Sequence, residues 1–160
     1  SEEDIAAEFT WLEEIEATDT EGVVALPGAL ELLNHLTESH IPWGIVTSGS
    51  IPVAHARHRA AGLPMPDVFV TAEQVKRGKP EPDPYLLGAK LLGLPPQECV
   101  VVEDAGAGVL SGLAANCHVI AVNVPADSPR LDEADFVLAR LDEVVVTKQP
   151  DGHVVVRRKA

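Results

Sequence analysis

A chain of 160 residues is long enough to bury a proper hydrophobic core and fits a single domain. Its 25 acidic residues against 12 Lys and Arg give a formal net charge of −13, which argues against nucleic acid or an anionic membrane as partner, since both recruit a basic surface. With 46% hydrophobic and 23% charged residues, and no apolar run near the roughly 18 residues of a membrane span, the composition is ordinary for a soluble globular protein.

Residues 1–21 contain no Lys or Arg, while Ile5, Phe9, Leu12 and Ile15 recur at helical spacing. That spacing predicts an amphipathic helix with one buried stripe and an acidic solvated face. From Val23 the pattern becomes one of helices alternating with short apolar runs. "PGALELLNHLTESH" reads as a helix with Pro27 near its first turn, and "IPWGIVTSG" as a strand ending in a polar turn. "IPVAHARHRAAGL" is a helix closed by Gly62, and "DVFVTAEQV" a strand with its connection. "KPEPDPYLLGAKLLGL" holds a helix with Asp83 as N-cap and Pro84 at the first position. "ECVVVED" is a strand, "AGAGVLSGLAANC" a helix, and "HVIAVNV" and "ADFVLAR" are strands. The tail "EVVVTKQPDGHVVVRRK" predicts two strands about a Pro-Asp-Gly turn. Strands apolar on both sides and separated by helices imply an α/β fold, a parallel sheet with helices on both faces.

In such a sheet the carboxyl ends of the strands share one rim, and ligands bind there. Thr47, Ser48 and Gly49 follow one strand, Lys79 lies in the connection after the next, and Glu103 and Asp104 end a third. Each signal has a plain alternative. Asp104 can cap the following helix, Thr47 and Ser48 can be turn residues, and most lysines are simply solvated. Two neighbouring carboxylates nevertheless repel each other, and a divalent cation removes that conflict. Hydroxyls and N–H groups at a helix start make a phosphate cradle. Lys79 sits in "RGKPEPDP", where Pro80, Pro82 and Pro84 stiffen the backbone around a long cation. Taken together the three loops read as a phosphate and Mg²⁺ site. Asn123 ends a further strand on this rim and is a candidate substrate contact.

"IVTSGS", "KRGKPEPDPYLLGA" and "VVVEDAGAGVLSGLAA", in this order, resemble the second, third and fourth motifs of the haloacid dehalogenase-like phosphatases. Within that superfamily the chain is most similar to bacterial sugar phosphatases of the hexitol or hexose 6-phosphate type, relatives of β-phosphoglucomutase. The resemblance covers nearly the whole chain, and its motifs specify the superfamily far better than the substrate. It implies a Rossmann-like core over residues 22–160, with residues 1–21 as the last part of a helical cap. It also implies that Thr47 hydrogen-bonds the transferring phosphoryl group, with Ser48 and Gly49 completing the cradle. Lys79 then neutralises charge between phosphate and nucleophile, Asp104 binds Mg²⁺, and Glu103 binds it directly or through water.

The family's first motif, Asp-x-Asp-Gly-Thr, supplies the nucleophile and is not found; the only Asp-Gly, Asp151-Gly152, falls in the hairpin turn. The resemblance therefore implies that the first core strand lies upstream of Ser1, and that the sheet has a gap between the strands ending at Thr47 and Glu103. It implies Mg²⁺-dependent hydrolysis of a small phosphorylated sugar or sugar alcohol through an aspartyl-phosphate in the intact protein, with these 160 residues alone an inactive fragment. A sugar-phosphate mutase and a non-catalytic phosphate- or metal-binding domain are the alternatives.

Cys99 and Cys117 lie in apolar segments without metal or redox spacing, which suits free thiols in a reducing compartment and makes the cytoplasm the expected location. His55, Arg57, His58 and Arg59 read as a solvated basic helix face, and Trp11 and Trp43 as packing residues.

Overall fold

The computed structural model describes all 160 residues. Five helices, α1 (Glu2–Thr18), α2 (Ala29–Glu38), α3 (Ile51–Ala60), α4 (Asp83–Leu92) and α5 (Gly106–Ala114), alternate with parallel strands β1 (Gly44–Val46), β2 (Val68–Val70), β3 (Val100–Glu103), β4 (His118–Val122) and β5 (Phe136–Leu138). A hairpin of β6 (Val144–Lys148) and β7 (Val154–Arg158) ends the chain, turning at Gly152, whose φ of 92° suits glycine.

The parallel strands form two sheets rather than one. β1 pairs with β2, aligning Val46 with Val70, and β3–β4–β5 form the other sheet, aligning Glu103 with Ala121 and Val122 with Leu138. β1 and β3 each have a single partner, so each presents a free edge. The break falls between the strands that lead to Thr47 and to Asp104.

Alternation along the strands decides what covers each face. Val46 faces α4 so closely that a Cβ on Gly88 would lie 3.0 Å from its Cγ2. Phe69 points the other way and meets α3, stacking on His55 at 4.5 Å and taking His58 edge-on at 5.6 Å. His58 is buried, with Nε2 bonded to the Pro64 carbonyl. Only Arg57 and Arg59 of the expected basic face are exposed; the two histidines are packing residues because they face an aromatic ring. In the second sheet Val101, Val119 and Ala121 pack with Val109 of α5 and Tyr85 of α4. On its other face Ile120, Val122 and Leu138 pack against Leu141, Val144 and Val156, so the hairpin helps cover that face. Val109 and Val119 are fully buried, each worth about 1.5–3 kcal/mol in apolar transfer.

Three local expectations change. Ser1 and Asp4 form a capping box that starts α1, yet Ile5, Phe9, Leu12 and Ile15 are 62%, 74%, 50% and 38% exposed. The helix contacts α3, but nothing in the chain covers its apolar stripe. Trp11 shares that exposure, whereas Trp43 is buried and donates from Nε1 to Thr37. Asp83 is the first helical residue of α4 rather than its cap, because Arg77 takes both of its carboxylate oxygens, at 3.1 and 2.7 Å.

Candidate active site

The loop after β1 is tied from two directions. Thr47 N–H extends the ladder to Val70 O, and Thr47 Oγ1 accepts from Gly49 N at 3.1 Å, closing a tight turn. The loop after β2 then braces it. Ala72 N–H donates to Gly49 O at 3.1 Å, and Glu73 accepts from Ile51 N at 2.8 Å. Ile51 opens α3, so a carboxylate already occupies part of the helix start that was expected to cradle phosphate. The Ile51 N–H in turn holds the Glu73 carboxyl below its ordinary value. What this loop still offers an anion is the Thr47 hydroxyl proton, since that oxygen only accepts from Gly49, and the exposed Ser48.

Lys79 is fixed by its surroundings. Arg77 bridges Asp83 and, at 3.4 Å, Glu81, while the Ser111 hydroxyl donates to Glu81 O at 2.5 Å, so the loop before α4 is anchored at both ends. The Lys79–Pro80 peptide bond is cis. The Lys79 side chain is only 12% exposed; its Nζ donates to Val46 O at 3.0 Å and to Glu103 Oε1. One ammonium therefore bridges the end of β1 to the end of β3 across the break between the sheets. An ammonium has three N–H donors, and these contacts use two.

Adjacent residues of a strand face opposite ways, and this resolves the carboxylate pair. Glu103 turns inward, 8% exposed, and also accepts from the Tyr85 hydroxyl, whose ring centroid lies 4.9 Å from Lys79 Nζ. The room for Glu103 comes from Gly108: a Cβ there would sit 2.0 Å from the Glu103 Cδ. Burial and the neighbouring Glu103 charge push the Tyr85 phenol far above its usual range, so it stays a donor. Asp104 is exposed, and the N-cap position of α5 is Ala105, which makes no side-chain cap bond, so Asp104 is not its N-cap.

No group of three or more His, Cys, Asp or Glu side chains stands ready to hold a metal. The donor chemistry at Asp104 still fits Mg²⁺, which takes hard oxygens and is often held by one or two carboxylates with phosphate and water. Both hydrogen bonds to Glu103 fall on Oε1, so its Oε2 and the exposed Asp104 carboxylate are the oxygens left for a cation. Beside the pair lies a pocket of about 270 Å³, lined by Val102, Glu103, Asp104, Val122, Asn123 and Arg140 among others. Thr47, Ser48 and Lys79 lie outside its lining.

The structure thus joins Lys79 to Glu103 and to the residue preceding Thr47, and leaves Asp104 facing solvent. It adds two residues that the sequence reading passed over. Glu73 carried no signal in "TAEQV"; Tyr85 was hidden as one more apolar position of a helix.

The model of the haloacid dehalogenase-like hydrolases matches residues 2–116. The chain is 73% identical over 157 residues to Hexitol phosphatase A of Escherichia coli (strain K12), covering 98% of this chain and 73% of that protein. It is 37% identical over 127 residues to Validoxylamine A 7'-phosphate phosphatase of Streptomyces hygroscopicus subsp. limoneus, covering 79% of this chain and 60% of that one. Among solved structures, CbbY from Rhodobacter sphaeroides in complex with xylulose-(1,5)bisphosphate superposes with a TM-score of 0.72 at 29% identity, over 82% of this chain and 61% of the other. β-Phosphoglucomutase from Clostridium difficile gives a TM-score of 0.60 at 27% identity, over 83% and 56%. With a family model spanning most of its length and a strand-and-loop arrangement to match, the chain belongs to the haloacid dehalogenase-like hydrolase family.

Proposed function

We propose that this chain carries the phosphate-gripping part of a Mg²⁺-dependent phosphomonoesterase acting on phosphorylated sugars or sugar alcohols. The observation that carries the reading is Lys79: a stiffly held, mostly buried ammonium with one donor left, at the rim beside the Thr47 turn. Lys79 donates its remaining N–H to a phosphoryl oxygen, and Thr47 donates its hydroxyl, with Ser48 and Gly49 bounding the same turn. Such fixed donors hold the phosphoryl charge before and during the reaction without reorganising. Asp104 would hold Mg²⁺; when bound, the ion supplies further positive charge to the phosphoryl oxygens. Glu103 serves the ammonium with Oε1, and its other oxygen would meet the ion directly or through water.

The attacking group of the family, an Asp that becomes an aspartyl-phosphate, is not among these residues on our reading. Asp83 is bound by Arg77, and Asp151 lies in the hairpin turn paired with His153. Hydrolysis is favoured over sugar-phosphate isomerisation because the relative 73% identical is named a hexitol phosphatase. No helix is long and apolar enough to cross a membrane. The two free cysteines suit a reducing compartment, and the cytoplasm is the location we favour.

The test is release of inorganic phosphate from a hexitol 6-phosphate by the full-length protein with Mg²⁺. Lys79→Met is expected to lower kcat/KM by about a hundredfold or more, the scale of losing one preorganised donor. Activity retained within a few-fold would refute the assignment, and an isomerised sugar phosphate in place of free phosphate would make the protein a mutase.

A further inference from the structure

The reading above leaves the hydroxyl of Tyr85, a polar atom in the core, without a role. Its ring belongs to the cluster of Val101, Val109 and Val119, and the residue is 9% exposed. A phenylalanine would fill that space equally well. A buried hydroxyl is unfavourable unless bonded, and the bond this one makes is to Glu103 Oε1, the same oxygen that receives Lys79.

We infer that Tyr85 is a positioning residue: its hydroxyl takes part of the Glu103 charge, and so leaves the Lys79 ammonium available to a phosphoryl group. The inference rests on the reading of Lys79 as the phosphate-gripping cation. A buried carboxylate served only by Lys79 would pair with it fully, and an ammonium so neutralised attracts a second anion less. With two donors, Oε1 is satisfied without holding all of the cation. The Tyr85 ring, 4.9 Å from Nζ, also walls one side of the ammonium, while Val46 O takes another of its donors. Since the phosphoryl group meets Lys79 both before and during reaction, weakening that contact acts on binding more than on turnover.

The experiment compares the full-length protein with Tyr85→Phe, Lys79→Met, Glu103→Gln and the Tyr85→Phe/Glu103→Gln double variant. Inorganic phosphate serves as a competitive inhibitor and a hexitol 6-phosphate as substrate. Tyr85→Phe is expected to raise KM and the phosphate inhibition constant together by about tenfold, the scale of one hydrogen bond to a charged group, with kcat within about threefold. Because the variant keeps the ring, its melting temperature reports whether packing has changed. In the Glu103→Gln background the same substitution should add less than about twofold, since Tyr85 acts through that charge. If Lys79→Met weakens phosphate but Tyr85→Phe does not, the role of Tyr85 is refuted and the phosphate grip stands. Multiplicative effects of Tyr85→Phe and Glu103→Gln would equally refute it. If Lys79→Met leaves phosphate inhibition unchanged, the grip and the inference fall together.

Discussion

Gly108→Ala tests how firmly Glu103 is held. The added methyl would stand 2.0 Å from Cδ and 2.2 Å from both carboxylate oxygens of Glu103. A flexible side chain in open space would swing aside at little cost. Glu103 is 8% exposed and accepts from both Lys79 and Tyr85, so moving it by the 1–2 Å needed for ordinary contact, about 3.5 Å, breaks both bonds. Hydrogen bonds to charged groups are worth about 1.5–3 kcal/mol each, which puts the loss of two at about 3–6 kcal/mol. At about 2–4 °C per kcal/mol for a protein of this size class, the melting temperature should fall by roughly 6 to 24 °C. Calorimetry of the full-length variant measures it directly, and kcat/KM should fall as well, because Lys79 loses its anchor. A drop of less than about 3 °C would show that Glu103 is free to move, and the account of how Lys79 is fixed would fail.

Asp104→Asn should raise the Mg²⁺ concentration needed for half-maximal activity by about tenfold while leaving the melting temperature within about 2 °C, because the side chain is exposed and caps nothing. Glu73→Gln should destabilise the protein at neutral pH and progressively less in acid. The Ile51 N–H lowers the Glu73 carboxyl below its ordinary 4.5, so the stabilisation is present above that value and lost as pH falls through the lowered one. Melting curves from about pH 7 to about pH 3 should show the gap between the two proteins closing. Burial pushes the Cys117 thiol up to about 11, so iodoacetamide at neutral pH should label it only after denaturation; rapid labelling of the native protein would contradict its burial.

The alternation of helices with parallel strands was plain in the sequence, because runs such as "CVVV" and "HVIAV" are apolar on both sides. The rim residues could be grouped from topology alone, since every parallel strand ends on the same side. Other features depended on neighbours distant in sequence. The stripe of α1 reads as buried because its spacing is amphipathic, but burial needs a covering surface, and none is offered. Asp83 has the residue type of a cap, yet Arg77 engages both of its oxygens. Glu103 and Asp104 looked like a matched pair of ligands. Strand alternation, legible in "VVVED", already required that one turn inward and the other outward; what it could not supply was the inward partner, Tyr85, from a helix 18 residues earlier. Glu73 was invisible for the same reason, its partner lying 22 residues away across a strand pairing.

The most direct measurement is a crystal structure of the full-length protein grown with inorganic phosphate and Mg²⁺. The account predicts a phosphate oxygen at about 3 Å from both Lys79 Nζ and Thr47 Oγ1, with Asp104 on the metal and Glu103 still bound to Lys79 and Tyr85. Phosphate seated elsewhere, with Lys79 turned away from it, would contradict the account.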